Sequence, residues 1–287
     1  EYLIPKPFDP RLLPTIALAV AKAAMDSGVA TRPVDLDAYE KSLQGQVFRS
    51  FGVMRRVFDA ARAAKRRVVF AEGEDERVLR AAQAMREDIG VTPILIGRPE
   101  VVDSRIEREG LKLVRGRDFD LVNPENDPRY RDYWQSYHAV MRRRGVTPDL
   151  AKMTLRSNTT AIAAVMVHRG EADSMICGTF GEYRWHLNYV SQVLADKAHH
   201  PVAALSLIIL ESGPMFIGDT QVHLEPSGRQ LAETVIATAR HVRRFGIEPK
   251  IALCTRSQFG NLDNATGRAA REALSILDAM ELNFEYE

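Results

Sequence analysis

Between residues 67 and 123 two periodicities alternate along the chain. Short apolar runs, 67-RVVFAE-72 and 92-TPILIG-97, have the continuous hydrophobicity of strands buried on both faces. Between and after them, 76-ERVLRAAQAMRED-88 and residues 99–109 space their apolar positions as amphipathic helices do. Two further runs, 111-LKLVR-115 and 118-DFDLVN-123, are expected as strands. An aromatic-bearing helix is expected over 128–144, then helices over 148–155 and 159–169, then a strand at 173-DSMICG-178. This alternation predicts an α/β protein with a mainly parallel sheet covered by helices.

The flanks extend the pattern. Upstream, 15-TIALAVAKAAMDSG-28 predicts a helix stopped at Gly28, and a shorter helix starts near Asp35. A boundary falls near 45–50, which makes 1–46 a separate segment from 47–287; the second begins with a helix, 50-SFGVMRRVFDAARAAK-65. Downstream, the apolar runs 202–210 and 215–220 flank the turn 211-ESGP-214 and predict a hairpin. A helix at 229–246, a strand at 250–255, a polar loop at 256–267, a helix at 268–281 and a strand stub at 283–286 complete the reading. The opening without a methionine and the final stub carry the expectation of a longer parent chain, with part of the second unit lying beyond Glu287.

Composition narrows the function classes. The 287 residues carry a formal charge of +1, so no global field draws in nucleic acid or a membrane surface, and neither is expected as a partner. The basic runs 62-RAAKRR-67, 142-RRR-144 and 243-RR-244 read as helix faces and ends or as local anion contacts. The longest apolar stretch, 202-VAALSLIIL-210, is too short to span a bilayer. Two cysteines, Cys177 and Cys254, lack any metal-binding spacing and read as buried reduced thiols, hence a cytoplasmic protein.

In open α/β sheets ligands sit beyond the carboxyl ends of strands. Four loops qualify: 72–75, 178–188, 219–223 and 256–264. The first, EGED, is acidic and suits a helix cap by Glu74 or Asp75. The third offers Asp219, Thr220 and His223, as proton-transfer groups or as a hydrogen-bonded surface turn. The fourth offers Arg256, Ser257 and Gln258. Arg156, Ser157 and Asn158 stand before an apolar helix, as a cap or as an anion site. No Walker loop and no well-placed GxGxxG occurs. The second loop, 178-GTFGEYRWHLNY-189, concentrates polar and aromatic groups: Thr179, Glu182, Tyr183, Arg184, His186 and Asn188 are candidate cleft residues, and the rings of Tyr183 and Trp185 suit either ligand stacking or plain packing.

The runs 67-RVVFAEGEDERVLRAA-82, 144-RGVTPDLAKM-153, 166-MVHRGEADSMICG-178 and 216-FIGDTQVHLEPSGRQLAE-233 resemble the phosphotransacetylase family, with the likeness covering residues 50–287. It implies a two-lobed α/β fold with a cleft for coenzyme A and a transfer of acetyl between phosphate and coenzyme A. The opening, 4-IPKPFDPRL-12 with 18-LAVAKAAMDSGVA-30, resembles the end of a malic-enzyme catalytic domain, and 242-VRRFGIEPKIALCTRSQFGN-261 is similar to hybrid malic enzymes in which the two are fused. That resemblance implies a parent using NAD(P) and Mg or Mn to decarboxylate malate to pyruvate, sites that fall outside this segment. It further implies acetyl-CoA as an allosteric inhibitor, assembly into a homo-oligomer, and the malic-enzyme domain of the same chain as neighbour.

The chain departs from the active family's loop, HSxxDTxRP. Its own reading, 181-GEYRWHLNY-189, puts Gly181 at the family's His, Trp185 at the Asp and Asn188 at the Arg; Met141 stands near a second expected Arg. Exchanging Arg for Asn removes a full charge and a bidentate fork. No catalytic residue is therefore assigned. The expectation is a cleft that binds acyl-CoA without turning it over, against an active phosphate acetyltransferase or a structural dimerisation module.

Overall fold

The computed structural model describes residues 12–47, 49–195, 202–210, 212–257, 261 and 263–287. Three helices lead in: α1 (Leu12–Asp26), α2 (Leu36–Val47) and α3 (Arg49–Ala64). The first lobe is built on β1 (Val68–Phe70), β2 (Ile94–Ile96), β3 (Asp120–Val122) and β4 (Ser174–Ile176), all parallel, in the order β3-β2-β1-β4. Its helices are α4 (Glu76–Asp88), α5 (Pro99–Arg108), α6 (Tyr130–Met141), α7 (Pro148–Ser157), α8 (Thr159–His168) and α9 (Tyr183–Leu194).

The period-2 alternation of the strands sorts their side chains between two cores. Val69, Ala71, Ile94, Ile96 and Val122 face α6–α9, while Phe70 and Leu95 face α4 and α5. α8 is buried along Thr160–Met166 and has no solvent face, as its uniformly apolar sequence requires. Asp75 caps α4 by accepting from the Arg77 N–H, and Asn158 caps α8 through the Ala161 N–H.

The second lobe holds the antiparallel hairpin β5 (Leu205–Leu210) and β6 (Gly213–Gly218), α10 (Gly228–Arg244), β7 (Lys250–Ile251), α11 (Ala265–Asp278) and β8 (Glu285–Tyr286). β7 and β8 pair in parallel, and α10 and α11 meet over a small core of Ala232, Val235, Ala273 and Leu277.

Three sequence expectations change. The run 111–115 is not a strand; among the described residues it makes a single bridge, Arg115 to Phe119, and β3 forms that edge of the sheet. Residues 183–194 are not loop but α9: His186, Tyr189 and Val193 recur at helical spacing and turn inward. Cys254 is exposed rather than buried, whereas burial, with the nearby Glu72 carboxylate, pushes the half-buried Cys177 thiol up to about 11. No helix among the described residues is long and apolar enough to cross a membrane.

Candidate functional site

Two neighbouring features lie around α9: a loop held from behind and a cleft between the lobes. The loop, 177–182, links β4 to α9 and turns on Gly178 (φ +96°) and Gly181 (φ +87°). A side chain at Gly181 would crowd the His186 ring, its Cβ falling 3.2 Å from Nε2. His186 lies in the interior, 5% exposed. Its Nε2 donates to the Phe180 carbonyl at 2.8 Å, and its Nδ1 pairs with the Thr160 hydroxyl at 2.9 Å. Since a carbonyl only accepts, Nε2 carries a hydrogen. The buried Glu72 carboxylate accepts from the Gly178 N–H at 3.1 Å and stands 3.9 Å from Nδ1 of His186. Arg77 donates to the Thr179 carbonyl from outside at 2.9 Å. The loop is thus pinned at Gly178, Thr179 and Phe180.

The cleft encloses about 640 Å³. From the first lobe it is lined by Arg144, Asn188, Ser191 and Gln192; from the second, by His223 and the first turns of α10, including Ser227, Arg229 and Glu233. Arg144 donates to the Gln192 carbonyl, and Arg229 pairs with Glu233 one helical turn away. His223 is oriented by Asp219, Nδ1 to Oδ1 at 2.8 Å. Asp219 and Gln221 both hold positive φ, +54° and +63°, a conformation that costs energy outside glycine. Ser227 and Gln230 form a reciprocal capping box that fixes the α10 end at the cleft.

The sequence candidates disperse around these features. Asn188 lies in the cleft, its Oδ1 accepting from Gln192. Glu182, Tyr183 and Arg184 are exposed at the start of α9, outside the cleft lining, with Thr179 half-buried beside them. His186 faces the interior, where it holds the loop. Asn158 is likewise buried as the α8 cap. Its Nδ2 and the Thr179 hydroxyl are buried without a partner, a cost of about 1–3 kcal/mol each. Arg156 lies over the Tyr130 ring at 4.6 Å, and Ser157 donates to the Met153 carbonyl. Ser257 follows β7 in the second lobe, apart from the cleft lining, and Gln258 lies outside the described residues. Cleft residues absent from the sequence candidates include Ser191 and Gln192, which belong to the unexpected α9, and Ser227 and Gln230, for which the S-x-x-Q capping-box spacing is a local signal. Among the described residues no group of three His, Cys, Asp or Glu side chains could hold a metal ion.

Comparison with known proteins places this geometry. Residues 52–287 match the Phosphate acetyl/butaryl transferase family. The chain is 49% identical over 290 residues to an NAD-dependent malic enzyme of Rhizobium meliloti, covering 100% of this chain and 38% of that protein. It is 48% identical over 279 residues to an NADP-dependent malic enzyme of Escherichia coli, covering 96% of this chain and 37% of that protein. It thus matches a phosphotransacetylase-like part and spans well under half the length of these relatives. A phosphotransacetylase from Streptococcus pyogenes superposes with a TM-score of 0.71 at 24% identity, over 81% of this chain and 71% of that one.

Proposed function

Since the chain belongs to the Phosphate acetyl/butaryl transferase family, we propose that it is the regulatory, acyl-CoA-binding and oligomer-forming domain of an NAD(P)-dependent malic enzyme, with acetyl-CoA as the inhibiting effector. The observation that carries this reading is the interlobe cleft with Asn188 in its wall, where the family's loop supplies an arginine. Acetyl transfer to phosphate needs fixed cations for a dianion, and losing one such group costs about 10²–10³ in rate. Holding the adenine, pantetheine and acyl parts of the effector asks less of the cleft: shape, and a few polar contacts. Arg144 and Arg229 remain for its phosphates.

An effector seated between two lobes favours the lobe arrangement that fits it, and inhibition follows if the catalytic part has different activity in the two arrangements. Two exposed surfaces support the partner reading. α1 presents Leu13, Ile16 and Val20, an apolar stripe suited to the malic-enzyme domain of the longer chain. The hairpin β5–β6 presents Ile208, Leu210, Met215 and Ile217, suited to a second copy. The nicotinamide and the Mg or Mn of such an enzyme belong to that other domain.

Calorimetric titration with acetyl-CoA in phosphate-free buffer tests the reading, and saturable binding without acetyl phosphate formation on adding phosphate is expected. The absence of both binding heat and thermal stabilisation would overturn it. Acetyl phosphate production at an enzymatic rate would replace it with the phosphate acetyltransferase.

A further inference from the structure

α3 touches both lobes. Near its end, Arg62 Nε donates to the carbonyl of Asp88, the last residue of α4 in the first lobe, at 2.7 Å. Two turns earlier, the Arg56 guanidinium lies against Gly246 in the second lobe, so close that a Cβ on Gly246 would collide with it. Gly246 (φ +73°) ends the turn that closes α10. The start of α10 lines the cleft through Ser227, Arg229 and Gln230. Its 17 residues make a rod about 25 Å long. One rigid element therefore has its first turn in the cleft and its far end on Arg56. At the other side, α3 packs on α2, and α2 on α1.

We propose that α3 is a strut: movement of the second lobe at the cleft passes along α10 to Arg56 and is delivered to the α1–α2 hairpin. This rests on the reading of the cleft as an effector site and gives that site an output. A helix moves as a unit on the scale of an interlobe rotation, because its hydrogen-bonded backbone is far stiffer than the contacts around it. Arg62 supplies the fixed point on the first lobe and Arg56 the moving one. The α1–α2 hairpin, whose exposed apolar stripe is described above, is where the displacement is read.

Amide hydrogen exchange on the 287-residue chain tests this in two arms. In the first, acetyl-CoA is added at saturation established by calorimetry. Exchange in α1 and α2 is expected to change about threefold or more, and Arg56→Ala is expected to abolish that change while leaving the binding isotherm within about twofold. Arg56 is exposed and outside the cleft, so its loss spares the fold. The second arm uses no ligand: Ser227→Ala, which frees the α10 start, alters exchange in α2 in the parent chain and not in the Arg56→Ala background. If acetyl-CoA does not bind, the effector reading fails while the second arm still judges the strut. Exchange in α1–α2 that ignores both perturbations, or that responds equally without Arg56, overturns the strut.

Discussion

Replacing His186 with alanine removes the pin of the 177–182 loop, and the cost can be built from its contacts. The Nε2 bond to Phe180 and the Nδ1 bond to Thr160 each contribute about 1 kcal/mol net. The Thr160 hydroxyl sits in a residue only 1% exposed, so its desolvation goes uncompensated. The ring also leaves a cavity beneath Gly178 and Gly181, both of which pack on it. The sum is about 3 kcal/mol, a large share of the roughly 5–15 kcal/mol of a typical domain. Urea unfolding followed by tryptophan fluorescence measures it, and Trp185, edge-on to His186 at 4.8 Å between ring centroids, reports from beside the change. Thr160→Val, which keeps the shape and deletes the hydroxyl, should cost about 1–2 kcal/mol by itself. A His186→Ala loss under about 1 kcal/mol would refute the view that the ring holds the loop, since that is less than its two hydrogen bonds alone.

Gly181→Ala should cost about 1–2 kcal/mol, because φ +87° disfavours any Cβ and this one would meet His186; the same urea assay reads it. Tyr133→Phe deletes the 2.8 Å bond from a buried hydroxyl to Glu171 and should lower stability by about 1 kcal/mol, with no change in acetyl-CoA affinity by calorimetry. Glu74 is held below its ordinary 4.5 by the forked Arg98 guanidinium, against the opposing effect of burial. A depressed carboxylate contributes its full stability above that ordinary value and loses it as pH falls through the lower folded value. The urea midpoint should therefore drop on acidification below about pH 4.5, and Glu74→Gln should flatten the drop. Cys254 should react with a thiol reagent at pH 8 long before Cys177, whose burial keeps it protonated; mass spectrometry of the alkylated peptides decides it.

The sequence disclosed elements whose cause is local and withheld those whose cause is distant. β1 and β2 were legible because consecutive apolar residues serve both faces of one sheet, and α4 because Asp75 caps it beside an amphipathic run. α9 was hidden by the glycines before it and by aromatic and polar residues that suit a loop equally well. His186 shows why site residues are harder. Its partners Thr160 and Glu72 lie 26 and 114 positions away, and nothing local distinguishes a histidine that holds a loop from one that meets a ligand. Asp219 and His223, four residues apart, are both candidates of one loop in the sequence, and it is the structure that joins them as a pair.

α8 has a consequence for the history of such sequences. A helix with an exposed stripe offers positions where substitutions drift without penalty, and Thr160–Met166 offers none, being enclosed on every side. Three of those seven residues are alanines, Ala161, Ala163 and Ala164, whose small size sets how closely the neighbouring helices and strands approach. Enlarging one displaces several elements at once, and shrinking is scarcely available. This segment should accept changes more slowly over evolutionary time than the surfaces facing the cleft do, so the most invariant residues across longer relatives need not be the ones that touch anything but each other.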